Sequence, residues 1–206
     1  FANLYESTLF FSWAIVFVYI IVLLKYKITS IGMLTVPLAF LAIGAASILP
    51  EHYKEMTPLV PALQSYWLEI HVIACMLAYS FFAFSFVISI LFLIKQNKNI
   101  EKLPSTEKLD SINHKSILIG FVLLTFGVIS GSIWANSAWG TYWSWDPKET
   151  WSLITWIVYA IYLHARFIKG WRGKRLAYLS CIGFIFVIFT YWGVNLLLSG
   201  LHSYAK

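Results

Sequence analysis

Residues 66–94 read YWLEIHVIACMLAYSFFAFSFVISILFLI, and beyond His71 this stretch contains no charged side chain. About 20 predominantly apolar residues are needed to cross the hydrocarbon core of a bilayer. Because no water is available there to satisfy the backbone, such a segment must form its own hydrogen bonds as a helix. The stretch therefore predicts a transmembrane helix over residues 66–94.

The composition extends this conclusion to the whole chain of 206 residues. The sequence is 60% hydrophobic and only 12% charged, with a mean hydropathy of +0.74. Soluble domains carry about 25% charged residues, so this chain cannot cover a soluble globule with polar side chains. Cys75 and Cys181 lie singly inside apolar runs, which predicts small core residues rather than a disulfide or a zinc site. Residues 1–206 are expected to form a single membrane domain.

Six apolar runs predict an all-α integral membrane protein, a bundle of about six transmembrane helices. The predicted spans are residues 7–24, 28–49, 66–94, 116–133, 147–167 and 176–198. Between the spans, residues 95–115 are expected to form a long, charged, mobile loop. Residues 134–146 are expected to form a loop that belongs to a Trp-rich segment, residues 134–151.

Basic residues concentrate in three of the predicted loops. Two lysines follow the first span, five lie between the third and fourth spans, and five Arg and Lys residues follow the fifth. Only Lys54, Lys148 and Lys206 fall on the opposite side. The positive-inside rule makes the basic side cytoplasmic, so both termini and the Trp-rich segment are expected to face outward. Because the charges are spread over membrane-proximal loops, they give no indication of nucleic-acid binding.

The Trp-rich segment admits two interpretations. Residues 134–156, which include the segment and the next five residues, read WANSAWGTYWSWDPKETWSLITW. One interpretation is an aromatic belt that anchors helix ends at the lipid headgroups. The other is an aromatic platform for a large flat ligand, since such rings offer a wide, rigid contact area. Composition alone does not separate the two, although a belt does not need so many Trp residues in one loop.

The start of the fifth span carries a helix-capping signal. Asp146 suits the N-cap position, Pro147 the first helical position and Glu149 the third position of a capping box. The first expectation for Asp146 is therefore a helix cap, and a cap can still shape a neighbouring ligand site.

Two histidines are expected on the level of the Trp-rich segment. Imidazole is a natural ligand of haem iron. His71 lies at the outer end of the third span and His202 follows the last span. Together with the aromatic platform they suggest a bis-imidazole haem site, and the alternative is a pair of interfacial polar residues.

The remaining histidines differ in their expected depth. His164 lies 17 residues beyond Pro147, about 25 Å along a helix that rises about 1.5 Å per residue. An ionisable residue at such depth is a functional candidate, and the alternative is an inner-interface residue beside Arg166. His52 and His114 are expected to be solvated.

Residues 139–146, WGTYWSWD, resemble the W-G-x-x-W-x-W-D (WWD) signature of haem-handling membrane proteins. The continuation, DPKETWSLITWIVYAIYLHAR, resembles the CcsA family of System II cytochrome c biogenesis, whereas the haem-exporting CcmC family shares only the first part. Residues 3–7 (NLYES) and 200–204 (GLHSY) are similar to the beginning and end of the CcsA core. The resemblance covers nearly the whole chain.

The resemblance implies that the WWD segment binds haem b, as a substrate, at the outer face of the membrane. It implies two axial ligands of the iron, His71 and His202, and a ligand for haem arriving from the cytoplasmic side, His164. The residues implied to contact haem are Trp139, Trp143, Trp145, Asp146, His71, His202 and His164. For the haem propionates Lys148 is a candidate partner, although the first expectation for it is a solvated residue.

The resemblance also implies partners and an activity. The partners are the membrane protein CcsB (ResB), apocytochrome c with its reduced C-x-x-C-H motif, and thiol-reducing thioredoxin-like proteins. The activity is that of a cytochrome c haem lyase, which works by positioning its substrates rather than through a reactive side chain. The chain departs from the fused CcsB–CcsA form, since it has no second membrane histidine of its own. The implied location is the bacterial cytoplasmic membrane or the thylakoid membrane.

Two other functions stay open at the level of sequence. A haem exporter or chaperone would hand haem on without attaching it, although the DPKET continuation argues against this reading. A transporter with an aromatic gate would not bind haem at all.

Overall fold

The computed structural model describes residues 3–55, 64–98, 100–198 and 200. Seven α-helices account for most of these residues: α1 Leu4–Tyr26, α2 Gly32–Ser47, α3 Tyr66–Asn97, α4 Thr106–Trp139, α5 Pro147–Phe167, α6 Lys174–Ile188 and α7 Val194–Leu197. A single 3-10 turn covers Glu51–Tyr53, and a π-helical turn at Phe189–Gly193 joins α6 to α7. The all-α prediction is confirmed for the described residues.

Each of the predicted apolar runs is largely helical, and within the described residues four helices are long and apolar enough to cross a membrane. These are Leu4–Tyr26, Tyr66–Asn97, Thr106–Trp139 and the continuous helix Lys174–Leu197. Helix α2 is a shorter apolar helix of 16 residues, about 24 Å long at about 1.5 Å per residue. The helices are those of an integral membrane protein.

Helix α4 is longer at its start than predicted. It begins at Thr106, so the expectation of a long mobile loop over residues 95–115 is wrong. The Ser105 side chain caps the helix by accepting a hydrogen bond from the backbone N–H of Lys108 at 3.3 Å. One turn further on, Asp110 forms a buried ion pair with Arg166 of α5 at 2.6 Å. Because these stabilising residues are polar, a search for apolar runs could not find this part of the helix.

The other end of α4 enters the Trp-rich segment. The helix continues to Trp139 and ends at Gly140, whose φ of 77° lies in the left-handed region that favours glycine. The prediction that residues 134–139 form a loop is therefore wrong, and only residues 140–146 are irregular. The backbone N–H of Gly140 satisfies the carbonyl of Asn136 at 2.9 Å.

Helix α5 begins where its capping residues predicted. The Asp146 carboxylate accepts a hydrogen bond from the Lys148 backbone N–H at 3.0 Å. The Glu149 carboxylate accepts in return from the Asp146 N–H at 3.2 Å, and Pro147 occupies the first turn. The predicted capping box is confirmed.

Helix α3 is the centre of the bundle and packs against α1, α4 and α6. Two glycines of α4 allow it to approach α3 closely. A Cβ atom on Gly127 would lie 2.6 Å from the Cys75 sulfur, and one on Gly131 would lie 2.5 Å from Nδ1 of His71. The α3–α4 contact therefore leaves no room for side chains at these two positions.

Candidate functional site

A cavity of about 200 Å³ lies where α3 and α5 begin and α4 ends. Side chains from α1, α3, α4, α5, the loop 140–146 and the π-helical turn line it. The lining residues that carry chemistry include His71, Tyr142, Trp143, Lys148, Tyr191 and Asn195. Among the described residues, the cavity wall thus combines one imidazole, one amine and several aromatic rings.

The His71 imidazole is held in one orientation, with a proton on Nδ1, by its backbone partner. Its Nδ1 atom lies 2.6 Å from the carbonyl oxygen of Gly127 on α4. A carbonyl oxygen can only accept, so Nδ1 carries the proton and donates it. In the neutral ring Nε2 then keeps its lone pair, which is the arrangement that metal-binding histidines use. The Cys75 sulfur lies 3.7 Å from the same Nδ1 and also lines the cavity.

The aromatic rings of the WWD segment occupy different environments. Trp143 and Tyr142 line the cavity, together with Trp134, which is 1% exposed. Trp139 packs edge-on against Trp134 with ring centroids 4.8 Å apart and is not among the lining residues. Of the three Trp residues that the family signature marks, the cavity wall contains Trp143.

Trp145 is 69% exposed and packs edge-to-face on Trp143 with ring centroids 5.8 Å apart. Its φ of 61° lies in the left-handed region, which is an outlier for a bulky residue. Such a conformation costs on the order of 1–3 kcal/mol and concentrates at functional sites. The loop therefore presents this ring at the surface, beside the cavity, at a cost in backbone energy.

The Glu149 carboxylate fixes the loop that carries these rings. Its Oε2 atom accepts hydrogen bonds from the Ser144 backbone N–H at 2.8 Å, the Ser144 hydroxyl at 3.2 Å and the Asp146 N–H at 3.2 Å. Glu149 is 8% exposed. Because three donors converge on one oxygen, this buried charge is compensated and the position of Trp143 relative to α5 is set.

Lys148 is not solvated as expected but half-buried in the cavity wall. Its Nζ atom donates a hydrogen bond to Oδ1 of Asn195 on α7 at 2.8 Å. The Asn195 amide in turn donates to the Tyr191 carbonyl at 2.6 Å. No local sequence pattern predicts this contact, because Asn195 is 47 residues away along the chain.

Two other predicted site residues, His164 and Asp146, are not among the residues that line the cavity. His164 lies 16 residues beyond Lys148 on α5, about 24 Å along the helix, with its side chain exposed on the outside of the bundle. Asp146 caps α5 and lines a small adjoining cavity. His202 lies outside the described residues.

His114 differs from its expected solvated state. It is half-buried on α4, and its ring lies against Phe167 and Tyr162 of α5 with centroids 5.1 Å and 6.4 Å away. His114 lies one helical turn from Asp110, in the first part of α4, which apolar patterning did not predict to be helical. The side chain of His52 lies outside the described residues.

The cavity's donor set suits a metal porphyrin. Such a ligand needs an imidazole for its metal, aromatic surface for its macrocycle and a polar or cationic group for its carboxylates. His71, the Trp143–Tyr142 wall and Lys148 are residues of these three kinds around one cavity.

Comparison with known proteins agrees with this chemistry. The family described as "Cytochrome C assembly protein" matches residues 1–202. The chain is 43% identical to the cytochrome c biogenesis protein CcsA of Mesostigma viride, over 98% of this chain and 76% of that protein. It is 44% identical to CcsA of Chlamydomonas reinhardtii, over 98% of this chain and 60% of that protein. With a match along nearly its whole length, the chain belongs to the CcsA family of cytochrome c assembly proteins.

Proposed function

We propose that this chain serves cytochrome c maturation as the haem-binding subunit of a cytochrome c synthase. In this role it presents haem b to apocytochrome c at the outer face of the membrane. The observation that carries the proposal is the cavity-lining His71, whose Nδ1 is committed to Gly127 so that Nε2 is the ligating nitrogen. The names of the CcsA relatives support the biological process.

The binding step uses the residues of the cavity and its rim. Nε2 of His71 is one axial ligand of the haem iron, and His202 is the second. Trp143 and Tyr142 contact the macrocycle, and Trp145 and Trp139 extend the platform beyond the cavity wall. Asp146 and Glu149 act on the substrate indirectly, by fixing the loop 140–146 against α5.

The attachment step needs no reactive side chain from this protein. Each cysteine thiol of the C-x-x-C-H motif adds across one haem vinyl group: the sulfur bonds to one vinyl carbon and the thiol hydrogen goes to the other. The motif histidine replaces one of the axial histidines on the iron. The protein contributes by holding the two reactants close and oriented, which is worth a large part of a barrier of this kind.

The proposed topology has six membrane spans, with α2 and α5 in addition to the four longest helices. The loop 140–146 and both chain ends face outward, toward the periplasm or the thylakoid lumen. Two observations support it: the cavity and the WWD loop lie at one end of the bundle, and the basic stretch 169–175 follows the opposite end of α5. The membrane is the bacterial cytoplasmic or the thylakoid membrane.

His164 has a different part in the proposal. Its side chain is exposed on the outside of the bundle, where a neighbouring membrane protein can share a ligand with it. We assign this face to CcsB (ResB), with haem arriving between the two proteins from the cytoplasmic side. Thioredoxin-like proteins keep the apocytochrome thiols reduced.

Reconstitution separates the proposal from its closest alternative, a haem exporter or chaperone. The chain is expressed with CcsB in a host that lacks other cytochrome c machinery, and covalent haem on a C-x-x-C-H reporter is measured. We expect covalent cytochrome c in wild type and a loss of most of it in His71→Ala. Outward movement of haem without covalent product would favour the exporter, and a purified protein with no Soret band would favour a transporter unrelated to haem.

A further inference from the structure

The amine of Lys148 lies in a cavity wall without an ion-pair partner among the described residues. The ion pairs in that part of the chain are Lys54–Glu51 and Arg166–Asp110. The Lys148 amine instead donates to a neutral amide oxygen, Oδ1 of Asn195, at 2.8 Å. A half-buried ammonium loses part of its hydration, and a single neutral acceptor does not compensate its charge.

The two carboxylates nearest to Lys148 in sequence are engaged elsewhere. Asp146 accepts from the backbone N–H of Lys148 rather than from its amine. Glu149 receives three hydrogen bonds from residues 144 and 146 through its Oε2 atom. Both acidic side chains of the capping box thus accept hydrogen bonds from backbone N–H groups. Lys148, which lines the cavity, forms no ion pair with either of them.

Asn195 fixes where this charge lies. Its Nδ2 donates to the Tyr191 carbonyl at 2.6 Å, which leaves Oδ1 as the atom that receives the lysine. The Tyr191 hydroxyl is itself hydrogen-bonded with the hydroxyls of Ser7 and Thr8 of α1, at 2.8 and 3.0 Å. This series of hydrogen bonds connects the Lys148 amine, through Asn195 and Tyr191, to α1.

We propose that Lys148, positioned by Asn195, binds a propionate carboxylate of haem. This inference rests on the proposed function, since it names a contact of the same substrate. Haem carries its two propionates on one edge and its two vinyl groups away from that edge. A carboxylate bound at Lys148 would therefore leave the vinyl groups on the side of the macrocycle that faces away from Lys148. Ammonium–carboxylate contacts of this kind are short and charge-assisted.

The test compares haem with haem dimethyl ester, which has the same iron and macrocycle but no free carboxylate. Both are titrated into the purified full chain in detergent, and dissociation constants are obtained from the visible spectrum. Wild type should bind haem more tightly than the ester. Lys148→Met should weaken haem binding roughly tenfold or more and leave ester binding nearly unchanged, because only the charge-assisted contact is lost. Lys148→Arg should keep the preference.

Two further variants distinguish loss of the lysine contact from loss of folding. Asn195→Asp places a carboxylate beside the amine, so it should compete with haem and lower haem affinity more than ester affinity. Lys54→Met removes a lysine that is paired with Glu51 outside the cavity, and it should change neither constant. An equal preference for haem in wild type and Lys148→Met would overturn the lysine assignment alone. Absence of haem binding by wild type would overturn the proposed function as well.

Discussion

Nδ1 of His71 on α3 lies 2.6 Å from the carbonyl oxygen of Gly127 on α4. This contact orients the ring and places a proton on Nδ1, as hydrogen-bond acceptors do for the non-ligating nitrogen of metal-binding histidines. It depends on close packing of the two helices, which Gly127 and Gly131 permit. The orientation of the His71 ring in the cavity wall is therefore set by the contact between α3 and α4.

Replacement of Gly131 tests whether the position of the His71 ring depends on this helix packing, and it leaves His71 itself unchanged. A Cβ atom at position 131 would lie 2.5 Å from Nδ1 of His71, so Gly131→Ala must displace the ring from Gly127. We expect haem affinity to fall by about 10- to 100-fold, the usual effect of losing an outer-shell partner. The measurement is a haem titration of the purified variant.

The matched control is Gly44→Ala, another helical glycine, whose added Cβ meets no atom within 4 Å. It should bind haem like wild type. If Gly131→Ala also binds haem like wild type, then the position of the His71 ring does not govern ligation.

The conformation of Trp145 gives a prediction that separates stability from function. Trp145→Gly removes a left-handed bulky residue and should raise the free energy of unfolding by about 1 kcal/mol. It should also weaken haem binding, because the exposed ring is lost. Trp145→Ala loses the same ring and keeps the unfavourable backbone, so it should weaken haem binding equally without the gain in stability. Equal stability of the two variants would show that the backbone at 145 stores no energy.

The ion pair Asp110–Arg166 should be important for the stability of the α4–α5 contact. The side chains are 14% and 6% exposed, so Asp110→Ala leaves a buried guanidinium without its partner. We expect a loss of about 3–5 kcal/mol in the free energy of unfolding, measured by denaturation in mixed micelles. Glu51→Gln, which breaks the exposed pair with Lys54, should cost at most about 1 kcal/mol. A similar small cost for both changes would contradict the structural role given to Asp110.

The sequence predicted those parts of the structure that local signals determine. The capping residues Asp146 and Glu149 specified the start of α5 to the residue, since a cap is a contact between near neighbours. The placement of His71 near the WWD segment followed from the length of the third apolar run. In contrast, the first turns of α4 carry polar residues and depend on the distant Arg166, so apolar patterning missed them.

The cavity wall was predictable only in part, for a similar reason. Trp143 lines the cavity and Trp145 does not, yet the two belong to one motif, and the left-handed backbone at Trp145 has no signal in the sequence. The sequence offered Lys148 only as an alternative to a solvated residue, because its partner Asn195 lies 47 residues away along the chain. Contacts between segments that are distant in sequence determine which polar residues line the cavity.

The visible absorption spectrum of the purified chain, compared with that of His71→Ala, is the direct test of haem ligation by His71. Wild type should carry haem with the low-spin spectrum of two axial imidazoles. His71→Ala should lose that spectrum, through loss of haem or a change to high-spin iron, and added imidazole should restore it by filling the vacated position. An unchanged low-spin spectrum in His71→Ala, with the same haem content as wild type, would contradict the assignment of His71 as a haem ligand.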